Sequence, residues 1–158
     1  MIQDMKPEDV IGDYQQAQLN YFDGYSRTIL YTEIETPYPD GKLIVSTTTP
    51  QGVITQVNKA FIEMSGYSEE ELLGTPHYIL RHPDMPAAAF KDLWDTVAKG
   101  EKWQGIVKNL RKDGGYYWVK ATVIPNIRGG QLVGYTSVRR KPSRRVVNEC
   151  ISLYPTMF

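Results

Sequence analysis

The residues best suited to chemistry in this chain lie in one stretch, "PHYILRHPDMP", residues 76–86. It sets His77, Arg81, His82 and Asp84 among Pro76, Pro83 and Pro86. Imidazoles ligate metals or move protons, a guanidinium grips anions in a planar fork, and a carboxylate pairs with either. Proline removes a backbone donor and pushes the preceding residue out of the helical region, so these groups belong to a shaped loop. The histidines are five positions apart, whereas ligands sharing one helical face stand three or four apart. A nucleophilic or metal-assisted enzyme needs further signatures: the chain has no G-x-S-x-G elbow, no phosphate loop and no H-E-x-x-H pair. Glu69, Glu70 and Glu71 follow Ser68 and read as a solvated first turn. The loop therefore points to ligand contact, or to a connection that needs its own hydrogen bonds, in a protein that is not an enzyme.

Bulk properties narrow the classes of partner. The chain has 158 residues, 41% of them hydrophobic, enough for one domain with a core plus an appended segment. Lys and Arg total 18 and so do Asp and Glu, which leaves no global field to favour nucleic acid or an anionic membrane. The single cysteine, Cys150, excludes an internal disulfide framework and a cysteine-built metal site. No apolar run approaches the roughly 18–20 residues of a membrane span, and the N-terminus lacks the order of a signal peptide. Cytoplasmic placement is the expectation.

The elements that must position the loop follow from periodicity. An N-terminal arm, residues 1–36, contains "KPEDVIGDYQQAQLNYFDGYSRTIL", in which Pro7 and acidic residues suit a helix start. Val10, Tyr14, Ala17 and Tyr21 recur at steps of three and four. This predicts a helix that either lies on its own domain or forms a dimer. "ETPYPDG", residues 35–41, reads as a linker. After it, "KLIVSTTT" and "GVITQVN" are strands joined by a turn at "PQG". "KAFIEMSGY", the capping-box segment "SEEELLG" and "AAAFKDLWDTVAKG" are helical. "KWQGIVKNLRK", "YYWVKATVIPNI" and "QLVGYTSVRRK" return to strand, with turns at "DGG" and "RGG". Residues 37–142 thus form an α+β domain, a five-stranded antiparallel sheet with helices on one face. A small-molecule cavity is expected between helices and sheet. Residues 143–158 are a C-terminal linker or helix.

Several stretches carry a family resemblance. "LIVSTTTPQGVITQVNKAFIEMSGYSEEELLG", "PHYILRHPDMP", "AAFKDLWDTVAKGEKWQGIVKN", "RKDGGYYWVKATVIP" and "GYTSVRRKP" together resemble a PAS domain, and specifically the flavin-binding PAS domain of bacterial aerotaxis receptors. The resemblance covers about two-thirds of the chain, from Lys42 to Pro142. It implies a redox sensor that holds FAD noncovalently and passes a conformational signal to chemoreceptor signalling domains, with a homodimer formed through the N-terminal helix or a sheet face. The implied cofactor-binding residues are Asn58, Arg81, His82, Asp84, Trp94 and Asn109, with His77 and Trp103 near the same motifs. An aromatic enclosure, amides and a cation are what a flavin ring and its phosphates require. Several of these residues also have a purely structural reading: Asn58 as a helix N-cap, Asp84 as a turn residue closing on Arg81, and Trp94 and Trp103 as core.

The chain also departs from the family. Tyr78 stands where an asparagine is usual, Leu110 where a basic residue is, and Gly115 where an acidic one is common. FMN in place of FAD, and a cofactor-free interaction module with Tyr78 filling the pocket, are the readings these departures leave open. PAS folds also bind haem through an axial histidine, for which His77 and His82 are the candidates. Light sensors of this fold need a cysteine beside the flavin, and the region after the second strand has none.

Overall fold

The computed structural model describes residues 2–158. Among them, five strands form one antiparallel sheet in the order β4-β3-β7-β6-β5. These are β3 (Ile44–Thr48), β4 (Ile54–Val57), β5 (Trp103–Leu110), β6 (Tyr116–Arg128) and β7 (Gln131–Arg140). Side chains alternate across a strand, so every second residue faces inward. On β6 these are Tyr117, Val119, Ala121 and Val123; on β7 they are Tyr135, Ser137 and Arg139, all buried. Ser46 of β3 pairs with Ser137, and Asn109 of β5 with Tyr117, which brings the polar members of the inner face together.

Helices cross this inner face. α1 (Lys59–Ser65) starts where the Asn58 side chain accepts the Phe61 N–H, and ends at Gly66 with φ 80°, a left-handed conformation that glycine adopts without strain. α2 (Glu69–Leu72) opens on the capping box of Ser68 and Glu71 that the sequence predicts. The proline-bounded stretch forms a 3-10 turn over His77–Leu80, and α3 (Ala87–Ala98) follows. The stretch is pinned along its length: Pro76 pairs with Val53, Arg81 pairs with Asn109 on β5, and the buried Met85 sulfur accepts the Lys108 N–H at 3.3 Å.

One expectation is corrected here. The N-terminal arm is not helical beyond a 3-10 turn at Pro7–Asp9; it is a β-hairpin, β1 (Gln15–Asn20) against β2 (Ser26–Tyr31). Asp23-Gly24 supplies the turn, with Gly24 at φ 90° and the Asp23 carboxylate accepting the Tyr25 N–H at 3.1 Å. Gly12, at φ 91°, interrupts the helical stripe. The hairpin also packs on the domain: Ile29 and Leu30 cluster with Met5 and with Leu110 of β5. Arg27 is almost fully buried and donates to the carbonyls of Gln3 and Ile79 and to the Tyr67 hydroxyl, tying hairpin, N-terminal segment and loop together. The linker is anchored too, because Tyr38 is buried and its hydroxyl donates to the Arg139 carbonyl at 2.9 Å.

The C-terminal segment, expected as a linker or helix, is helical and covers the outer face of the sheet. α4 (Arg144–Leu153) packs Val147 and Cys150 on Trp118, which points away from α1–α3, so helices lie on both faces. Its N-cap, Ser143, accepts the Val146 N–H at 3.2 Å.

Candidate functional site

Between α3, the 3-10 turn and the inner sheet face lies a cavity of about 450 Å³. Its wall is mostly apolar and aromatic, with Phe90, Leu93 and Trp94 from α3, Trp103 and Val107 from β5, and Tyr135 from β7. The hairpin tip completes it with Asn20, Tyr21 and Phe22. A lining of this kind receives a flat apolar ring.

The tryptophans are held differently. Trp94 is 38% exposed and meets the Tyr135 ring edge-on with centroids 5.7 Å apart, so it stands at the mouth with room to cover a ligand. Trp103 is buried, and its indole N–H donates to Asp92 of α3 at 2.9 Å. Its ring lies flat across Gly105, where an added Cβ would come within 2.3 Å of the indole. Glycine at 105 is therefore what allows Trp103 to lie against the sheet and clamp α3 to β5.

Three polar side chains in the wall each leave one donor without a partner. Asn109 is buried and its Nδ2 has no acceptor; the same holds for Arg81 Nε and Arg139 Nη1. Buried donors are ordinarily satisfied, so three open ones around one cavity call for a ligand rich in acceptors. Arg139 is 3% exposed, its Nη2 donates to Ser46 Oγ at 3.1 Å and to His77 Nε2 at 2.6 Å, and its guanidinium lies 5.2 Å from the Phe61 ring. Neither Arg81 nor Arg139 has a carboxylate within ion-pair distance among the described residues. Burial lowers the Arg139 pKa to about 10, still charged at neutral pH. Burial, with the Arg139 charge adding to it, pushes His77 down to about 3, so its ring is neutral and accepts from Arg139.

Of the residues implied by the resemblance, His77, Arg81, Trp94, Trp103 and Asn109 thus meet at the cavity. Asn58, His82 and Asp84 lie outside its wall. Asn58 is spent on structure: its Oδ1 accepts from Val45 and Phe61, and its Nδ2 donates to the Leu43 carbonyl at 2.8 Å. His82 is 1% exposed, stands edge-on to Tyr31 and Tyr116, and accepts the Asp84 N–H on Nδ1 at 3.0 Å. Asp84 closes the loop through Lys108 at 2.8 Å, where the sequence suggests Arg81. Lys108 in turn lies 4.2 Å from the Tyr116 ring.

Arg139, Tyr21 and Tyr135 belong to the site and are not singled out by the sequence reading. The signal for Arg139 is its phase: in "GYTSVRRK" it shares the inward register with Tyr135 and Ser137, and an arginine in that register needs a partner. Tyr21 is concealed by the helical reading of its segment. Tyr78, in place of the usual asparagine, does not fill the cavity; it stacks on Tyr21 at 3.8 Å with planes 2° apart and donates to Asp23 at 2.8 Å.

The donor set fits a flavin. The Asn109 amide offers a donor and an acceptor to the imide edge of the ring, Arg139 offers a cation, and the aromatic wall encloses the rest. It fits haem less well, because Arg139 holds His77 Nε2 and His82 faces away from the cavity. Cys150 packs on Trp118 across the sheet, away from the cavity.

Comparison with known proteins agrees with this architecture. The family described as "PAS fold" matches residues 54–139, more than half of the chain. The chain is 45% identical over 126 residues to the aerotaxis receptor of Escherichia coli (strain K12), covering 80% of this chain and 25% of that protein. It is 26% identical over 141 residues to the nitrogen fixation regulatory protein of Klebsiella pneumoniae, covering 89% of this chain and 26% of that protein. The chain thus spans about a quarter of the length of these curated relatives. A PAS domain from Colwellia psychrerythraea superposes with a TM-score of 0.59 at 28% identity, covering 65% of this chain and 88% of that one. A light-oxygen-voltage domain superposes with a TM-score of 0.61 at 23% identity, covering 72% and 86%, which speaks to the fold. With that sheet order, that cavity and these matches, the chain belongs to the PAS family.

Proposed function

We propose that this PAS domain is a cytoplasmic redox sensor that binds FAD noncovalently in the cavity and turns the flavin's redox state into a conformational signal for aerotaxis. The observation that carries this reading is the pair of buried, unpartnered donors, Asn109 Nδ2 and Arg139 Nη1, in an otherwise apolar and aromatic wall. The similarity to an aerotaxis receptor supports the same reading. A bound flavin supplies a ring that takes up electrons and grows more negative at its pyrimidine edge. Arg139 would meet that charge in a low-dielectric site, where the attraction is strong. Neutral His77 stays on the guanidinium's other amino group and keeps it oriented.

Two routes lead outward from these residues. Arg139 lies on β7, and its carbonyl accepts from Tyr38 in the segment that joins the hairpin to the sheet. Asn109 lies on β5, whose Ile106 carbonyl accepts from Tyr154 after α4. A shift of the Arg139 or Asn109 side chain on flavin reduction would therefore reach both ends of the domain, where chemoreceptor signalling segments and a second copy of the chain would read it. The cofactor-free reading requires side chains to fill the pocket, and the Tyr78 ring leaves it open.

The test is a titration of the purified chain with FAD, followed by quenching of flavin fluorescence. Asn109→Ala and Trp94→Ala should each weaken binding by at least about tenfold, a loss of about 1.4 kcal/mol, while far-UV circular dichroism stays unchanged. Undiminished binding in both variants would overturn the assignment.

A further inference from the structure

Phe22, at the tip of the β1–β2 hairpin, is 73% exposed although it lines the cavity. At the rim of a cavity, such a ring offers an open π-face to whatever occupies the cavity. Its orientation is nevertheless fixed. Tyr78 meets Phe22 edge-on at 6.1 Å, Tyr78 stacks on Tyr21, and the Tyr78 hydroxyl is tied to Asp23 in the hairpin turn. The Arg81 guanidinium lines the same cavity, 4.9 Å over the Phe90 ring, with its Nε lacking an acceptor. The cavity thus combines an aromatic enclosure with open amide and guanidinium donors, a second arginine without a carboxylate in ion-pair distance, and an exposed aromatic ring at its rim.

We propose that Phe22 is the platform on which the adenine of a dinucleotide stacks, so that the hairpin distinguishes FAD from flavins that lack the adenosine half. This rests on the flavin reading above and adds to it the residue that selects the cofactor. An adenine face stacks on an aromatic side chain without needing hydrogen bonds, which suits an exposed phenylalanine. Arg81 is the cation for the diphosphate that joins the two rings. Tyr78 and Asp23 hold the hairpin tip over the mouth and so keep Phe22 within reach.

The experiment measures the affinities of the full chain for FAD, FMN and riboflavin, in the native sequence, Phe22→Ala and Phe22→Trp. Phe22 is exposed, so neither substitution disturbs the core. Phe22→Ala should weaken FAD by about tenfold and leave FMN and riboflavin within about twofold, and Phe22→Trp should restore FAD. An equal loss for all three ligands, or no loss for FAD, overturns the proposal while the flavin site stands. A native chain that binds none of the three overturns the flavin reading and the platform with it.

Discussion

Burial holds His82 neutral. Its pKa is pushed from 6.5 to about 3, first by loss of solvent and then by the Lys108 charge, against a smaller opposing pull from Asp84. A base whose folded pKa is depressed binds its proton more readily in the unfolded chain. Its contribution to stability is complete above about pH 6.5 and is lost as pH falls towards 3. Urea denaturation across that window should show stability falling by up to about 1.4 kcal/mol per pH unit for this one group, and His82→Asn should reduce the slope to the share left by His77, whose pKa is also pushed down to about 3. An unchanged slope would mean that His82 is not the group titrating. The same residue shows how far single positions can be read from sequence. His77 and His82 stand out equally in "PHYILRHPDMP", yet one lines the cavity and the other lies outside its wall. What separates them is the 3-10 turn, whose geometry depends on Asn109 and Met85 contacts made across the fold. Trp94 and Asn109 are legible from their elements, whereas Arg139 requires the strand register to be known.

Elements are legible where local signals agree with tertiary packing. The capping box at Ser68 and the strand alternation of β5–β7 do agree, and each element forms where the sequence places it. In the N-terminal arm two local signals compete. A three-and-four stripe favours helix, while Asp23-Gly24 favours a hairpin, and the hairpin wins because it buries Ile29 and Leu30 against Leu110. Asn58 makes a prediction at this scale. Its side chain caps α1 and ties it to Leu43 and Val45 of the first sheet strand's approach. Asn58→Ala should lower unfolding free energy by about 1–2 kcal/mol, measured by thermal or chemical denaturation. FAD affinity of the folded fraction should be unchanged, and a selective loss of affinity would return Asn58 to the ligand's contacts.

Hairpin, sheet and helical block share their core, so the whole molecule should behave as one cooperative unit. Ile2, Tyr21 and Tyr38 join the principal cluster with Phe61, Leu80 and Tyr117, and Ile29 and Leu30 are essentially fully buried. Near- and far-UV circular dichroism should report the same thermal transition. Deleting the segment through residue 34 should remove about 3–6 kcal/mol for Ile29 and Leu30 alone and spread the two transitions apart. A truncated chain of undiminished stability would show the hairpin to be an independent appendage.

The central claim, that this PAS cavity holds a flavin, is tested most directly by the absorption spectrum of the protein as purified, with chromatography of whatever heat releases. The account predicts the bands of oxidised flavin and release of FAD. A Soret band would contradict it in favour of haem, and a colourless protein that refuses added FAD would contradict it in favour of an interaction module.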